Sequence, residues 1–193
     1  WSDQGGYVRG FDATFDPTGY LLPAEQLQTL DPLFRWTLHA ARQAWQDAGY
    51  PPQPETDRAG VILGNLSYPT RSYAELAESV WWALSKGEEP TGDGRERFMS
   101  GLPAHLVAQA LGLQAGALSL DAACASSLYA IKLACDWLHD RKTDVMLAGG
   151  VNHADDLFLL GGFCAMNAMS MTGLSRPFHM DADGLVPAEG AGF

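Results

Sequence analysis

Basic residues are scarce in this sequence. Its 12 lysines and arginines stand against 23 aspartates and glutamates, which gives a formal net charge of −11. Nucleic-acid binding needs a clustered basic surface, so this charge argues against a phosphate backbone as partner. No apolar run reaches the ~18 residues of a membrane span, and the opening "WSDQGGYVRG" lacks the basic and apolar regions of a secretory signal. We therefore expect neither a nucleic-acid partner nor a membrane span.

Cysteine and histidine are sparse as well. The three cysteines, Cys124, Cys135 and Cys164, are odd in number and form no C-x-x-C pair. This favours free thiols in a reducing compartment, and hence a cytoplasmic protein. The five histidines form neither an H-x-x-x-H nor an H-E-x-x-H pattern, so the sequence predicts no metal site.

Segments typical of strands and helices alternate along the chain. Helices are predicted where apolar residues recur at helical spacing: after the capping pair Asp31 and Pro32, over residues 71–86, from Pro103 to Gly112, and from Cys124 to about His139. Buried strands are predicted at "AGVILG" (residues 59–64), "GALSL" and "DVMLAGGV". Residues 1–30 and the glycine-rich tail are predicted to be irregular. The pattern predicts an α/β fold with a largely parallel, layered sheet.

Two neighbouring tryptophans widen the apolar face of the helix predicted over residues 71–86. Trp81 and Trp82 are large enough to dominate the packing of any surface they join. We predict that they pack in the core, and an interface is the alternative.

Cys124 lies in the small-residue stretch "DAACASS", between a predicted strand and a predicted helix. The free N–H groups and the dipole at a helix start favour negative charge, so they would favour a thiolate and could bind an oxyanion. The alternative is a small, inert core residue. Cys135 falls on the leucine-rich face of an apolar helix predicted to be buried, so we predict that Cys135, like Cys164, is packed. Asp121 is predicted to hydrogen-bond the turn.

The stretch "LDAACASSLYAIKLA" resembles the active-site elbow of β-ketoacyl synthases, the condensing enzymes of fatty acid and polyketide assembly. Other blocks resemble this family in the same order: "FDATFDPTGY", "LDPLFRWTLHAARQAWQDAGY", "GLPAHLVAQALGL", "DVMLAGGVN" and "MSMTGLSRPFHMDADGLVPAEGAGF". Ordered blocks over nearly the whole chain are far more specific than one motif. The amino-acid sequences of these blocks most resemble the synthase domains of type I polyketide and polyunsaturated fatty acid synthases.

The resemblance implies a fold and a mechanism. The fold would be thiolase-like, with α/β/α layers, and residues 1–193 would be a partial synthase domain: most of its first half, without the first strand and the C-terminal half. Cys124 would accept an acyl chain from the phosphopantetheine thiol of an acyl carrier protein, and its backbone N–H would join the oxyanion hole. A malonyl carrier would lose CO2 and attack that thioester. No cofactor would bind directly, and the complete domain would form a homodimer. The apolar helix faces meant for the missing half would be exposed.

Histidine limits what the resemblance implies. Decarboxylation in this family needs two histidines from later motifs, one in an H-G-T-G-T-like segment, and the sequence contains no such segment. No catalytic role is assigned to the histidines at positions 39, 105, 139, 153 and 179. We expect this chain alone to be acylated at Cys124 but not to condense. The alternatives are a non-condensing relative, such as a chain-length partner, and an unrelated cysteine acyltransferase or hydrolase.

Overall fold

The computed structural model describes residues 4–52, 57–66, 70–154 and 157–193. Six α-helices are found in these residues: α1 (Ala24–Gln28), α2 (Pro32–Asp47), α3 (Arg71–Lys86), α4 (Leu102–Leu111), α5 (Ser126–His139) and α6 (Leu157–Ala165). The strands are β1 (Ala59–Asn65), β2 (Ala117–Leu120), β3 (Val145–Asn152) and β4 (Gly190–Gly192). No helix of the described residues is long and apolar enough to cross a bilayer. The predicted α/β class is confirmed.

The four strands form one mixed sheet in the order β2-β1-β3-β4. Strand β1 runs parallel to both neighbours, with Val61 opposite Ala117 on one side and Leu147 on the other. Strand β4 runs antiparallel to β3 and pairs Ala191 with Val151. The largely parallel sheet is therefore confirmed. Residues 1–30 and the glycine-rich tail are predicted to be irregular. That prediction is wrong for Ala24–Gln28, which form α1, and for Gly190–Gly192, because pairing to β3 orders them.

Helices cover both faces of the sheet. On one face α2 and α4 form the main core with Val61 and Leu63 of β1, and on the other face Ile62 packs with α5. This alternation follows from the two-residue period of a strand. At the start of α2, Asp31 Oδ1 accepts a hydrogen bond from the Leu33 N–H at 2.9 Å, as its capping role predicts. The layers are thus α/β/α.

Helix α5 is not buried on all sides, contrary to the prediction. Its small residues Ser126, Ala130 and Ala134 face the sheet and are buried, whereas Leu128 is 68% exposed and Cys135 is also exposed. Small side chains let the helix lie close to the strands, so they take the inner face. The core position predicted for Cys135 is wrong, while the prediction that apolar helix faces are exposed is confirmed.

Helix α3 has the predicted bounds, but its tryptophans point outward. Trp81 and Trp82 are 70% and 51% exposed, so the prediction that they pack in the core is wrong. Only Leu76 and Ala83 of this helix are buried. The helix therefore contacts the rest of the chain along a narrow stripe.

Candidate active site

Cys124 opens into a cavity at the carboxyl ends of the parallel strands. The cavity has a volume of about 400 Å³ and is walled by the ends of β1 and β3, by the turn before α5, and by β4. Its lining includes Asn65 from β1, Asn152 from β3 and Gly192 from β4, together with Cys124. Open α/β sheets bind ligands at this edge, outside the carboxyl ends of their strands. Cys124 thus lies at the edge of the sheet where such folds bind ligands.

The turn that carries Cys124 has a strained backbone. Ala123 adopts φ 51°, a left-handed conformation that costs a non-glycine residue about 1–3 kcal/mol. Asp121 Oδ1 accepts a hydrogen bond from the Ala123 N–H at 2.9 Å, which confirms its predicted role in the turn. Ala125 occupies the N-cap position of α5 without a side-chain cap, so the helix begins two residues after Cys124 rather than at it. The thiol itself is exposed.

Ser126 closes the turn, a role that was not predicted from the sequence. This residue is only 6% exposed. Its Oγ accepts a hydrogen bond from the Ala122 N–H at 2.9 Å and donates one to the Ala123 carbonyl at 2.7 Å. Both backbone groups flank the strained residue, so Ser126 holds Ala123, and with it Cys124, in place. Serine can bond back to the carbonyl three residues before it, so Ser126 after Ala123 in "DAACASS" is a sequence signal for this contact.

Glycines bring the strands against this turn. A Cβ on Gly64 would lie 2.6 Å from the Ser126 carbonyl carbon and 2.7 Å from the Ser127 nitrogen. On β3, a Cβ on Gly150 would lie 3.2 Å from the Ser127 Cβ. The strand ends can therefore touch the start of α5 only because these positions lack side chains. Glycine inside a predicted strand marks such a close approach, and this signal was available in "AGVILG" and "LAGGV".

Asn65 connects the cavity to the segment before α4. Its side chain is buried, and its Nδ2 donates a hydrogen bond to the Met99 carbonyl at 2.6 Å. In the same segment, Glu96 Oε1 accepts a hydrogen bond from the Asp31 N–H at 2.9 Å. Burial, followed by the nearby charges of Asp31 and Asp93, raises the pKa of Glu96 to about 7. The cavity wall is thus linked through this segment to the start of α2.

The remaining cysteines and histidines lie elsewhere. Cys135 is in the middle of α5 and Cys164 is half-buried near the end of α6. No histidine is found among the described residues that line the cavity, and His153, next to Asn152, stacks on Trp36 with ring centroids 5.3 Å apart. Within the described ranges, no group of three or more potential ligands could hold a metal ion.

The layered sheet and the cysteine turn at its carboxyl edge define the class of protein. This is a thiolase-like α/β fold. Residues 2–193 match the family described as "Beta-ketoacyl synthase, N-terminal domain", and the chain belongs to this family. The family resemblance noted in the sequence is therefore confirmed.

The relatives are large synthases. The chain is 36% identical over 191 residues to a phenolphthiocerol/phthiocerol polyketide synthase of Mycobacterium tuberculosis, covering 97% of this chain and 10% of that protein. It is 34% identical over 158 residues to a polyunsaturated fatty acid synthase of a Thraustochytrium species, covering 70% of this chain and 8% of that protein. The chain therefore spans about a tenth or less of the length of these relatives.

Solved structures give the same result. The "PfaC Keto synthase-Chain length factor" is 37% identical, with a TM-score of 0.83 over 97% of this chain and 22% of that one. A complex of a type II polyketide synthase acyl-carrier protein with its ketosynthase, AntDE:AntF, is 25% identical, with a TM-score of 0.65 over 86% of this chain and 43% of that one. In that structure the ketosynthase is bound to its own acyl-carrier protein.

Proposed function

We propose that this chain supplies the acyl-accepting part of a β-ketoacyl-[acyl carrier protein] synthase, with Cys124 as its nucleophile. The enzyme would perform a decarboxylative Claisen condensation in polyketide or fatty acid biosynthesis. The observation that carries the proposal is the exposed Cys124 thiol, set on a strained turn at the mouth of a cavity. Nucleophiles presented on tight strand-to-helix turns combine access to substrate with nearby backbone N–H groups.

In the first step, the Cys124 sulfur attacks the carbonyl carbon of an acyl thioester on phosphopantetheine. A carbon–sulfur bond forms to Cys124, the bond to the pantetheine sulfur breaks, and the Cys124 proton is transferred to the departing thiol. Negative charge develops on the carbonyl oxygen during this attack. The backbone N–H of Cys124, helped by the N–H groups at the start of α5, would stabilise it.

In the second step, a malonyl group on a carrier protein loses CO2, and the resulting carbanion attacks the Cys124 thioester. A carbon–carbon bond forms, the bond to Cys124 breaks, and its thiolate is regenerated. The product is a β-ketoacyl carrier two carbons longer. The decarboxylating histidines implied by the family resemblance match none of the five histidines of this sequence, so the step assigned to this chain is the acylation of Cys124.

The carrier of the acyl group is proposed to be an acyl carrier protein, with no cofactor bound directly by this chain. The proposal assigns residues 1–193 to most of the first half of a synthase domain. Leu128 and Ile131 on the exposed side of α5 would then be covered in the complete domain, which would act as a homodimer. The three free cysteines support a reducing, cytoplasmic setting.

The acylation step is tested by incubating the chain with an acyl carrier protein bearing an acyl thioester and mapping adducts by mass spectrometry. Cys135 is an internal control because its thiol is exposed but lies in the middle of a helix. We expect Cys124 to be acylated at least about tenfold faster than Cys135. Replacement Cys124→Ser should abolish transfer, and Cys135→Ser should not. Equal labelling of the two cysteines in the unmodified chain would refute the proposal.

The cysteine also separates the proposal from the alternatives. Chain-length partners of this family typically replace it, so Cys124 argues for a condensing member. A cysteine hydrolase of another type would turn over simple esters as well as carrier-bound thioesters. Steady release of acid from a simple ester by the chain, lost in Cys124→Ser, would favour the hydrolase over the synthase.

A further inference from the structure

The outer side of α3 carries a row of apolar side chains in solvent. Ala74, Ala77, Trp81 and Leu84 are all exposed, with Leu84 at 81%. Their spacing of three, four and three residues is that of the a and d positions along which two helices pack. We refer to these four residues as the α3 seam. A seam of this kind predicts that another helix packs against it.

An acidic groove lies beside the α3 seam. It has a volume of about 310 Å³ between α3 and the loop that follows, and it is lined by Glu75 and Glu78 of the helix and by Glu88 and Glu89 of the loop. Trp82 forms part of the same wall. With the seam at the a and d positions, Glu78 takes an e position, which flanks the seam, and Glu75 takes the b position beyond it. A helix lying on the seam would therefore place one flank beside Glu78, at the near edge of the groove.

Contacts within α3, and one between α3 and the loop that follows, hold the groove in shape. Ser79 Oγ donates a hydrogen bond to the Thr91 carbonyl at 2.6 Å, which ties the loop to the helix. Trp82 Nε1 donates to Glu78 Oε1 at 3.4 Å, and Lys86 Nζ lies 5.1 Å from the centre of the Trp82 ring. A surface ordered before binding loses less conformational entropy when a partner docks.

The negative charge of the groove indicates what kind of partner binds there. Arg71 and Lys86 are the cations of α3, and Arg71 pairs with Glu75 at 2.8 Å. Four glutamates against these two cations still leave the groove net negative. A second copy of the chain would bring like charges together, and so would a nucleic acid or an anionic membrane. We propose that the α3 seam and its groove dock an amphipathic helix of a protein partner, whose apolar side meets Trp81 and Leu84 and whose lysines or arginines enter the groove.

The proposal is tested with two labelled helical peptides of about 18 residues, long enough to form a helix. Both carry leucine at the a and d positions, and the flanking positions are lysine in one and glutamate in the other. Binding to the 193-residue chain is measured by fluorescence anisotropy at low and high salt. We expect the lysine peptide to bind, with affinity falling as salt rises, and the glutamate peptide not to bind.

Variants locate the site. Trp81→Ser should weaken binding of the lysine peptide by about 30-fold, as for a central aromatic anchor, whereas Phe178→Ser, at a fully exposed aromatic outside α3, should leave it unchanged. Glu89→Lys should weaken binding and Glu25→Lys, at an exposed acid of α1, should not. Equal binding of both peptides, or no binding, would overturn the proposal. Dimerisation of the chain that Trp81→Ser abolishes would make a second copy the occupant and would also overturn it.

Discussion

Replacing Ser126 with alanine tests whether the turn before α5 is held by one hydroxyl. The variant loses the hydrogen bond from the Ala122 N–H and the one to the Ala123 carbonyl. Each such bond contributes about 1 kcal/mol net, and groups left without partners cost more. Water reaches part of the turn, since Cys124 is exposed, and it can bond to the groups that lose Ser126. We therefore assign each hydrogen bond its net contribution of about 1 kcal/mol and not the larger cost of an unsatisfied group. The expected loss in the free energy of unfolding is about 2 kcal/mol.

The loss is measured by urea titration, followed by circular dichroism. For a chain of this size, about 2 kcal/mol corresponds to a fall in Tm of about 4–8 °C. The matched control is Ser85→Ala, where an exposed hydroxyl donates to the Trp81 carbonyl within α3. Its effect should stay within about 0.5 kcal/mol.

A second measurement, the alkylation rate of Cys124, tests the effect of Ser126→Ala on the candidate active site. Because Ser126 fixes the residue before Cys124, Ser126→Ala should change the alkylation rate of Cys124 and leave that of Cys135 unaltered. If Ser126→Ala unfolds like Ser85→Ala and Cys124 reacts at its original rate, the clamp has no role in holding the turn.

Two further predictions concern packing and pH. Gly64→Ala should lower the free energy of unfolding by about 1–3 kcal/mol, because the new methyl group meets the backbone of Ser126. Gly161→Ala, which meets nothing within 4 Å, is the control in urea titrations, and equal stability of the two variants would contradict the close approach. Burial raises the pKa of Glu96 from 4.5 to about 7, so folding favours its protonated form. That contribution is complete below pH 4.5 and is lost as the pH rises through about 7. Glu96→Gln should therefore flatten stability across this range in urea midpoints, and Glu25→Gln should not; a profile parallel to that of the unmodified chain would show that Glu96 does not cause the slope.

Local signals predicted the helices whose ends carry capping residues. Asp31 and Pro32 marked the start of α2, and apolar spacing predicted the bounds of α3. The structure adds that Thr70 accepts from the Tyr73 N–H at the start of α3 and that Gly87 is left-handed after its end. These signals are contained in a few adjacent residues, so no knowledge of the tertiary structure is needed to read them.

Other elements depend on contacts distant in sequence. The segment "LFLLGGFCA" of α6 is apolar all round and contains two glycines, so it lacks a helical period. The three residues of β4 are a strand only because they pair with β3. In α3 and α5, periodicity identified apolar stripes but not which stripe the rest of the chain would cover. In α5 the sheet covers the alanines, because Ala130 and Ala134 allow a closer approach of helix and strands than Leu128 does.

In the candidate site too, features set by adjacent residues were predicted, and features set by contacts distant in sequence were not. The position of Cys124 between a strand and a helix was predicted from the small residues around it. The clamp by Ser126 and the contact of Gly64 with the turn were not, because they depend on how β1 lies against the start of α5. A glycine in a predicted strand indicates that another part of the chain lies close to it, but the sequence does not show which part.

The cavity around Cys124 also has an order of assembly. Its walls at β1, the turn before α5 and β3 are made from successive parts of the chain, whereas Gly190 and Gly192 come from β4, near residue 193. At ~5–20 residues per second, synthesis completes the first three walls on the order of seconds before β4 emerges. During that interval the thiol faces solvent on the side that β4 later encloses. A nascent chain paused before Gly190 should therefore expose Cys124 to alkylating reagents more than a chain that includes β4 does.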